Sequence, residues 1–153
     1  MMKLTRRDTF GLGAGAAALV LGGAYGQFAF AAADDEVDKL IMEFAGGKTP
    51  EAGKVSLEAP EIAENGNTVP VGVSVESEMT ADNYVQSVML LAPGNPRPGV
   101  ATFHFSPLSG EASASTRMRL AKTQTVVAVA KMSDGSVYID KKEVKVTIGG
   151  CGG

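Results

Sequence analysis

The spacing of apolar residues divides the chain into a short helical segment and a long series of strands. A stripe at the i, i+3, i+4 and i+7 positions of one helix face comprises Val37, Leu40, Ile41 and Phe44. Asp34 or Asp35 can cap the start of this helix, and Gly46-Gly47 ends it. The pattern predicts a short helix over residues 34–45, whose stripe packs on the domain's own sheet or in a groove of a partner protein.

After residue 50 the apolar period becomes two, which is typical of strands with one buried face. The clearest case places valines at alternate positions, Val69, Val71, Val73 and Val75, and Pro70 among them predicts an edge strand or a bulge. Further strands are predicted at residues 54–58, 84–91, 100–105, 115–120, 125–132, 137–140 and 143–148.

Turn sequences separate the predicted strands. They are Asn65-Gly66, Pro93-Gly94-Asn95-Pro96, Ser109-Gly110 and Ser133-Asp134-Gly135-Ser136, and the last contains the Asp-Gly pair of a tight hairpin. Seven or eight short strands with turns every ~8 to 12 residues predict an all-β fold, an immunoglobulin-like antiparallel β-sandwich. In the final strand, Val144, Val146 and Ile148 are predicted to face the core.

Residues 1–33 have the composition of an export signal. The pair Arg6-Arg7 precedes a stretch from residue 9 to residue 33 that contains no Asp, Glu, Lys or Arg and ends in small residues that a signal peptidase recognises. Glycines make this stretch only moderately apolar, as in twin-arginine signals, although Thr9 stands where such signals usually carry an apolar residue. We predict a twin-arginine signal peptide over residues 1–33 and a periplasmic mature chain. An uncleaved membrane anchor is the alternative, because the stretch is long enough to span a bilayer.

Removal of the signal changes the size and charge of the chain. Cleavage after Ala33 would leave 153 − 33 = 120 residues, enough for one domain with its own core. The removed segment contains Lys3, Arg6, Arg7 and Asp8, a net +2, so the formal charge would move from −3 to −5. Such a surface does not attract nucleic acid. We predict one domain over residues 34–148, with neither nucleic acid nor, after cleavage, a membrane as partner.

The only cysteine, Cys151, lies in a glycine segment that follows the final predicted strand. Two glycines stand on each side of it: Gly149, Gly150, Gly152 and Gly153. Such neighbours have no side chains to bury the thiol, and glycine backbone is costly to order. A single cysteine in an exported protein cannot form an internal disulfide, so a covalent use of the thiol or an intermolecular disulfide remains. We predict a flexible arm over residues 149–153 that, at roughly 3.3 Å per residue, reaches about 16 Å beyond the domain.

The usual constellations of catalysis and cofactor binding are missing from the sequence. His104, the only histidine, is predicted to lie on the outer face of a strand whose Phe103 and Phe105 face the core, and one histidine with one distant cysteine is a poor metal site. No phosphate-binding loop and no paired carboxylates for acid–base work are found. Arg117 and Arg119 predict a solvated strand face, with anion or carboxylate binding as the alternative. The sequence therefore predicts a protein that is not an enzyme, holds no metal or cofactor, and depends on its thiol.

Residues 116–153 resemble the SoxY family of sulfur-oxidation proteins. The similarity covers essentially the whole chain. It is tightest from Ser115 onward, where residues 116–138 read TRMRLAKTQTVVAVAKMSDGSVY and residues 142–153 read KEVKVTIGGCGG, and it is weak in the first helix. The GGCGG segment is the most specific motif, and the twin-arginine signal agrees with the family.

This resemblance implies a periplasmic substrate carrier of thiosulfate oxidation. Cys151 would hold the sulfur as an S-thiosulfonate conjugate and then in persulfide forms. The family works as a heterodimer with SoxZ, which would be exported with this chain. The implied partner enzymes are the haem cytochrome SoxAX, which attaches thiosulfate, the dimanganese hydrolase SoxB, which releases sulfate, and in some systems the molybdenum-haem sulfur dehydrogenase SoxCD.

Two other functions remain open from the sequence. An ATP-activated sulfur carrier would use a terminal Gly-Gly carboxylate, as ubiquitin-like proteins do, and would depend on Gly153; export and the many predicted strands argue against it. A structural sandwich would dimerise through a Cys151 disulfide, and the sequence does not separate it from a covalent carrier.

Overall fold

The computed structural model describes the main chain of residues 28–150 and the side chains of residues 35–150. Within that range the chain forms one α-helix, nine strands and a short 3-10 helix at Pro107–Ser109. The helix is α1 (Phe28–Ala45), and the strands are β1 (Glu51–Ala52), β2 (Val55–Glu58), β3 (Ile62–Asn65), β4 (Val69–Val75), β5 (Val85–Leu91), β6 (Gly99–His104), β7 (Ala112–Met118), β8 (Gln124–Met132) and β9 (Val137–Ile148). A compact unit begins at Ala33. No helix of the described part is long and apolar enough to cross a bilayer.

The strands form two sheets, which confirms the predicted all-β sandwich with a short N-terminal helix. The larger sheet has the order β1-β9-β8-β5-β6, with β3 also paired to β9, and the smaller sheet has the order β2-β4-β7. Most pairs are antiparallel, but β1 and β3 both run parallel to β9, β1 at its start (Tyr138 and Ile139) and β3 at its end (residues 145–148). β9 thereby extends past the end of β8 and leads the chain out of the sandwich.

The main core lies between the two sheets. The four alternating valines of β4 are all buried there, at most 6% exposed, as the period-two pattern predicted. Residues that are fully buried in the same core include Val85, Val88, Leu90, Leu120, Val126 and Val144. Each contributes roughly 1.5–3 kcal/mol through the removal of its apolar surface from water.

Helix α1 covers the opposite face of the larger sheet. Val37, Ile41 and Ala45 are buried against residues of β5, β8 and β9, which confirms the prediction that the stripe packs on the domain's own sheet. β8 is consequently buried on both faces, from Val126 to Ala130 without a break. The helix begins at Phe28, so the predicted caps Asp34 and Asp35 lie inside it. The alanines that precede them favour helix strongly enough to extend it.

Some strand boundaries differ from the prediction, because backbone hydrogen bonds pair strands whose side chains show no clear alternation. Residues 137–148 form one twelve-residue strand instead of two, and β1 and β3 were not predicted. The polar Asp140 in the middle of β9 interrupts the apolar pattern, yet its Oδ2 accepts a hydrogen bond from the backbone N–H of Leu57 at 2.8 Å. This bond joins β9 to β2 of the other sheet.

The prediction for Pro70 holds locally, whereas that for Ile148 is wrong. Pro70 lies in β4, the central strand of the smaller sheet. Pairing with β2 ends at Gly72, however, so that β4 has only β7 beside it at Pro70 and a missing N–H is tolerated. Ile148, predicted to face the core, is 67% exposed because β9 has passed beyond the sandwich at that point.

The β8–β9 hairpin forms as the Asp-Gly pair predicted. The backbone N–H of Met132 donates to the carbonyl of Ser136 at 2.9 Å, and Gly135 adopts a φ of 80° that favours glycine. Asp134 accepts hydrogen bonds from the hydroxyl and the backbone N–H of Ser136 at 2.6 and 2.7 Å. These bonds favour the carboxylate, so the pKa of Asp134 lies below its usual 3.8.

Candidate functional site at the root of the glycine arm

At the end of β9 the chain reaches a point where two loops meet at one end of the sandwich. Gly149 and Gly150, which we call the arm root, follow Ile148 directly. They meet the turn after β3, at Gly66, and the loop after β7, at residues 119–123. Gly150 is buried, although it precedes the only cysteine by a single residue.

One backbone hydrogen bond holds the arm root to the loop after β7, and two more tie Ile148 and that loop to Gly66. The N–H of Gly66 donates to the carbonyl of Ile148 at 2.8 Å, and the carbonyl of Gly66 accepts from the N–H of Leu120 at 2.8 Å. The N–H of Gly150 then donates to the carbonyl of Leu120 at 2.9 Å. Leu120 is fully buried, so that the loop which receives Gly150 is itself fixed in the core.

The glycines of this junction are required by space and not by backbone angles. A Cβ on Gly66 would lie 2.7 Å from the nitrogen of Gly150 and would also meet the carbonyl oxygen of Leu120. A Cβ on Gly150 would lie 2.7 Å from the carbonyl oxygen of Gly66, and one on Gly149 would meet the carbonyl oxygen of Ala121. Carbon–oxygen contacts this short are repulsive, and none of the three glycines has a positive φ. Glycine is needed at these three positions because three segments of the main chain approach one another closely there.

A hydrogen-bonded brace holds the loop of residues 119–123 in place. The Oδ1 of Asn95 accepts from the N–H of Ala121 at 2.9 Å and from Nε2 of Gln124 at 3.0 Å. The Nδ2 of Asn95 donates to the carbonyl of Arg119 at 2.7 Å. Gln124, only 8% exposed, also accepts from the N–H of Gly94 at 2.7 Å. The loop between β5 and β6 thus fixes the loop after β7, whose Leu120 accepts the hydrogen bond from Gly150.

The structure places the predicted site residues in three groups. Gly149 and Gly150 lie at the arm root, held against the domain. Cys151, Gly152 and Gly153 lie outside the described residues, as does the pair Arg6-Arg7 of the predicted signal. The expected reach of about 16 Å assumed five free residues. The hydrogen bond and the burial of Gly150 correct that assumption for the first two, and flexibility of the last three stays a prediction.

The other candidates from the sequence lie away from the arm root or on exposed surface. His104 is exposed between Phe103 and Phe105, which pack on the core as predicted. No three His, Cys, Asp or Glu residues of the described chain are grouped as a metal site requires. Arg117 lines an open groove of about 740 Å³ on the smaller sheet together with Lys142 and Glu58. The carboxylate of Glu58 offsets the two cations, which weakens the case for an anion site there.

Sequence reasoning missed the residues that build the arm root. Gly66 and Asn95 both stood in segments interpreted only as turns, while Leu120 and Gln124 were assigned no role. The glycine and asparagine types are typical of turns, and their long-range hydrogen-bond partners lie 24 to 82 residues away along the chain. Only the three-dimensional structure brings them together.

Comparison with known proteins identifies the relatives of the chain. The family model for the sulfur oxidation protein SoxY matches residues 41–151. The solved structure of the sulfur carrier protein SoxY from Chlorobium limicola f thiosulfatophilum is 35% identical, with a TM-score of 0.61, and the match covers 75% of this chain and 99% of that one. No curated protein sequence matches the chain.

More distant structures share the fold alone. A superoxide reductase (neelaredoxin) from Ignicoccus hospitalis is 22% identical with a TM-score of 0.55, over 68% of this chain and 91% of that one. The putative superoxide reductase from Thermotoga maritima is 17% identical with a TM-score of 0.53, over 67% and 89% of the two chains. The family match over residues 41–151 and the 35% identity to the Chlorobium protein together show that the chain belongs to the SoxY family of sulfur oxidation proteins.

Proposed function

We propose that this chain is the sulfur carrier of a Sox thiosulfate-oxidation system and that it binds the sulfur covalently through Cys151. The observation that carries this proposal is that the family match runs through residue 151 and so includes the cysteine. The similar Chlorobium protein is itself a sulfur carrier. The arm root supports the same role, because it fixes the chain at one end of the sandwich one residue before the thiol.

The chemistry needs one thiol and no other group from this chain. In the first step the Cys151 thiol and thiosulfate form a sulfur–sulfur bond, which gives Cys–S–S–SO₃⁻ and releases one proton and two electrons. The SoxAX cytochrome would accept those electrons. In the second step SoxB would add water to the conjugate, which yields the persulfide Cys–S–SH, sulfate and one proton. SoxCD, where present, would oxidise the remaining sulfur.

The described part of the domain supports a carrier in preference to an enzyme. A solvent-exposed thiol has a pKa near ~8.5, so only a few per cent is thiolate at neutral pH unless a neighbour activates it. Next to Gly150 the domain contributes backbone carbonyls of Gly66, Leu120 and Ala121, which do not stabilise a negative charge. Activation is therefore assigned to the partner enzymes, into whose sites the slender glycine segment would fit.

Export and the heterodimer are part of the same proposal. A twin-arginine signal over residues 1–33 would carry the folded chain to the periplasm, together with SoxZ bound to it. Folded export suits a chain that must meet its partner in the cytoplasm, even though it takes up no cofactor.

Intact-mass spectrometry tests the proposal on protein purified from the periplasm. After incubation with thiosulfate and SoxAX, we expect a mass gain of one thiosulfate less one hydrogen on wild-type protein and none on Cys151→Ser. Wild-type protein whose thiol has been alkylated beforehand is the matched control, because its sequence is unchanged. A gain that persists in Cys151→Ser would overturn the assignment. A doubled mass that only reductant removes, with no thiosulfate adduct, would favour the structural disulfide dimer.

A further inference from the structure

Gly150, directly before the cysteine, is buried like a core residue, which a freely swinging arm does not need. Gly150 is buried and its N–H is bonded to Leu120, while Gly66 is bonded on one side to Ile148 and on the other to Leu120. The three bonds link the end of β9, the turn after β3 and the loop after β7. The bond from Gly150 belongs to the arm root itself and favours its docked arrangement by about a factor of five, while the other two hold the surfaces on which it docks.

We propose that Gly66 is a positioning residue, which clamps Gly149 and Gly150 beside Leu120 and Ala121 so that the link to the Cys151 thiol begins at Gly150. This inference rests on the proposed carrier function. Consecutive Cα atoms are about 3.8 Å apart, so the cysteine Cα lies within that distance of the clamped Gly150. On this proposal the link from the domain to the thiol is one residue long, counted from Gly150, and not the three residues that follow Ile148.

The clamp is expected to strengthen binding of the glycine segment to partner enzymes. A loose segment loses backbone freedom when it enters an active site, whereas a pre-ordered segment has lost it already. Release of Gly149 and Gly150 would therefore weaken binding to a partner but leave the chemistry of the bound thiol unchanged. This predicts a higher KM and a retained kcat for removal of sulfate from the Cys151 conjugate by SoxB.

Gly66→Ala is the variant that opens the clamp, because a Cβ there meets the Gly150 nitrogen and the Leu120 carbonyl oxygen. Gly99→Ala is the matched control, since a Cβ at Gly99 has no atom within 4 Å and the residue lies on the edge strand β6. In both full-length proteins, amide exchange of Val129 in β8 reports whether the core is intact. If Gly66→Ala does not fold, two glycines inserted between Gly150 and Cys151 leave the clamp in place but lengthen the tether.

Amide hydrogen exchange measured by NMR tests the clamp without any partner. In the wild-type protein we expect the Gly150 amide to exchange at least about fivefold more slowly than those of Gly152 and Gly153. In Gly66→Ala this protection should be lost while that of Val129 is kept. Equal exchange at Gly150 and Gly152 in the wild type would overturn the clamp.

Kinetics with SoxB then test positioning. We expect a KM for the loaded conjugate about tenfold higher in Gly66→Ala and in the insertion variant than in Gly99→Ala, with kcat and the rate of alkylation by iodoacetamide unchanged. An unchanged KM in a variant that has lost Gly150 protection, or in the insertion variant, would show that the clamp does not position the sulfur. If instead no conjugate forms on the wild type, the carrier function fails while the exchange result still reports on the clamp.

Discussion

Replacement of Asn95 by alanine tests whether the brace behind the arm root is a real source of stability. The substitution removes three hydrogen bonds, two accepted by Oδ1 and one donated by Nδ2. It leaves the part-buried N–H of Ala121 and one N–H of Gln124 without their partner. At about 1 kcal/mol for each bond, with a further penalty for the part-buried donors, we expect a loss of about 2–4 kcal/mol.

Thermal unfolding followed by circular dichroism measures this loss. For a domain of this size 1 kcal/mol corresponds to roughly 5 °C, so Asn95→Ala should lower the Tm by about 10–20 °C. Asn83→Ala is the matched control, because the hydrogen bonds of Asn83 all use its main chain. A loss below about 0.5 kcal/mol, as for an ordinary surface change, would refute the brace. A double-mutant cycle with Gln124→Ala should show a coupling of about 0.5–1.5 kcal/mol, since the two side chains share a bond.

Two further predictions concern parts of the domain remote from the arm root. Ile41→Ala removes a residue only 8% exposed from the contact between α1 and the larger sheet, so chemical denaturation should show a loss of about 2–4 kcal/mol, whereas Met42→Ala on the 44% exposed face should cost far less. Asp134 should titrate by NMR below 3.8, and Ser136→Ala should raise its pKa towards that value. Because the folded pKa is lowered, the stabilising effect of the carboxylate is present above pH 3.8 and disappears as the pH falls through the lowered pKa. A titration midpoint at or above 3.8 in the wild type would contradict the two hydrogen bonds.

The sandwich itself could be predicted because its core consists of apolar side chains whose spacing is visible in the sequence. The alternating valines of β4 each bury against the opposite sheet, and the stripe of α1 fits one face of the larger sheet. Both patterns depend only on local spacing, which a sequence displays directly. The family resemblance rested likewise on a short contiguous motif around Cys151.

The parts that were missed depend on main-chain atoms, which every residue type possesses. β1 and β3 join the larger sheet through parallel backbone pairing with β9, and the four residues of β3 give little alternation of their own. The same reason hid the arm root, whose bonds at Gly66, Leu120 and Gly150 are all between backbones. A glycine selected for close approach and a glycine selected for flexibility are the same letter in a sequence.

Different physical reasons therefore account for the two pairs of glycines on either side of Cys151. Those before it leave no space for a Cβ, whereas those after it lie outside the described residues and are constrained only by the proposal that the thiol enters other proteins. Ordering a residue costs about 1–2 kcal/mol, so the expected tenfold change in KM, about 1.4 kcal/mol, corresponds to about one residue ordered in advance of each encounter. A carrier that visits several enzymes in succession gains this at each of them. A rigid root with a short free end is therefore better suited to repeated visits than a tether that is loose along its whole length.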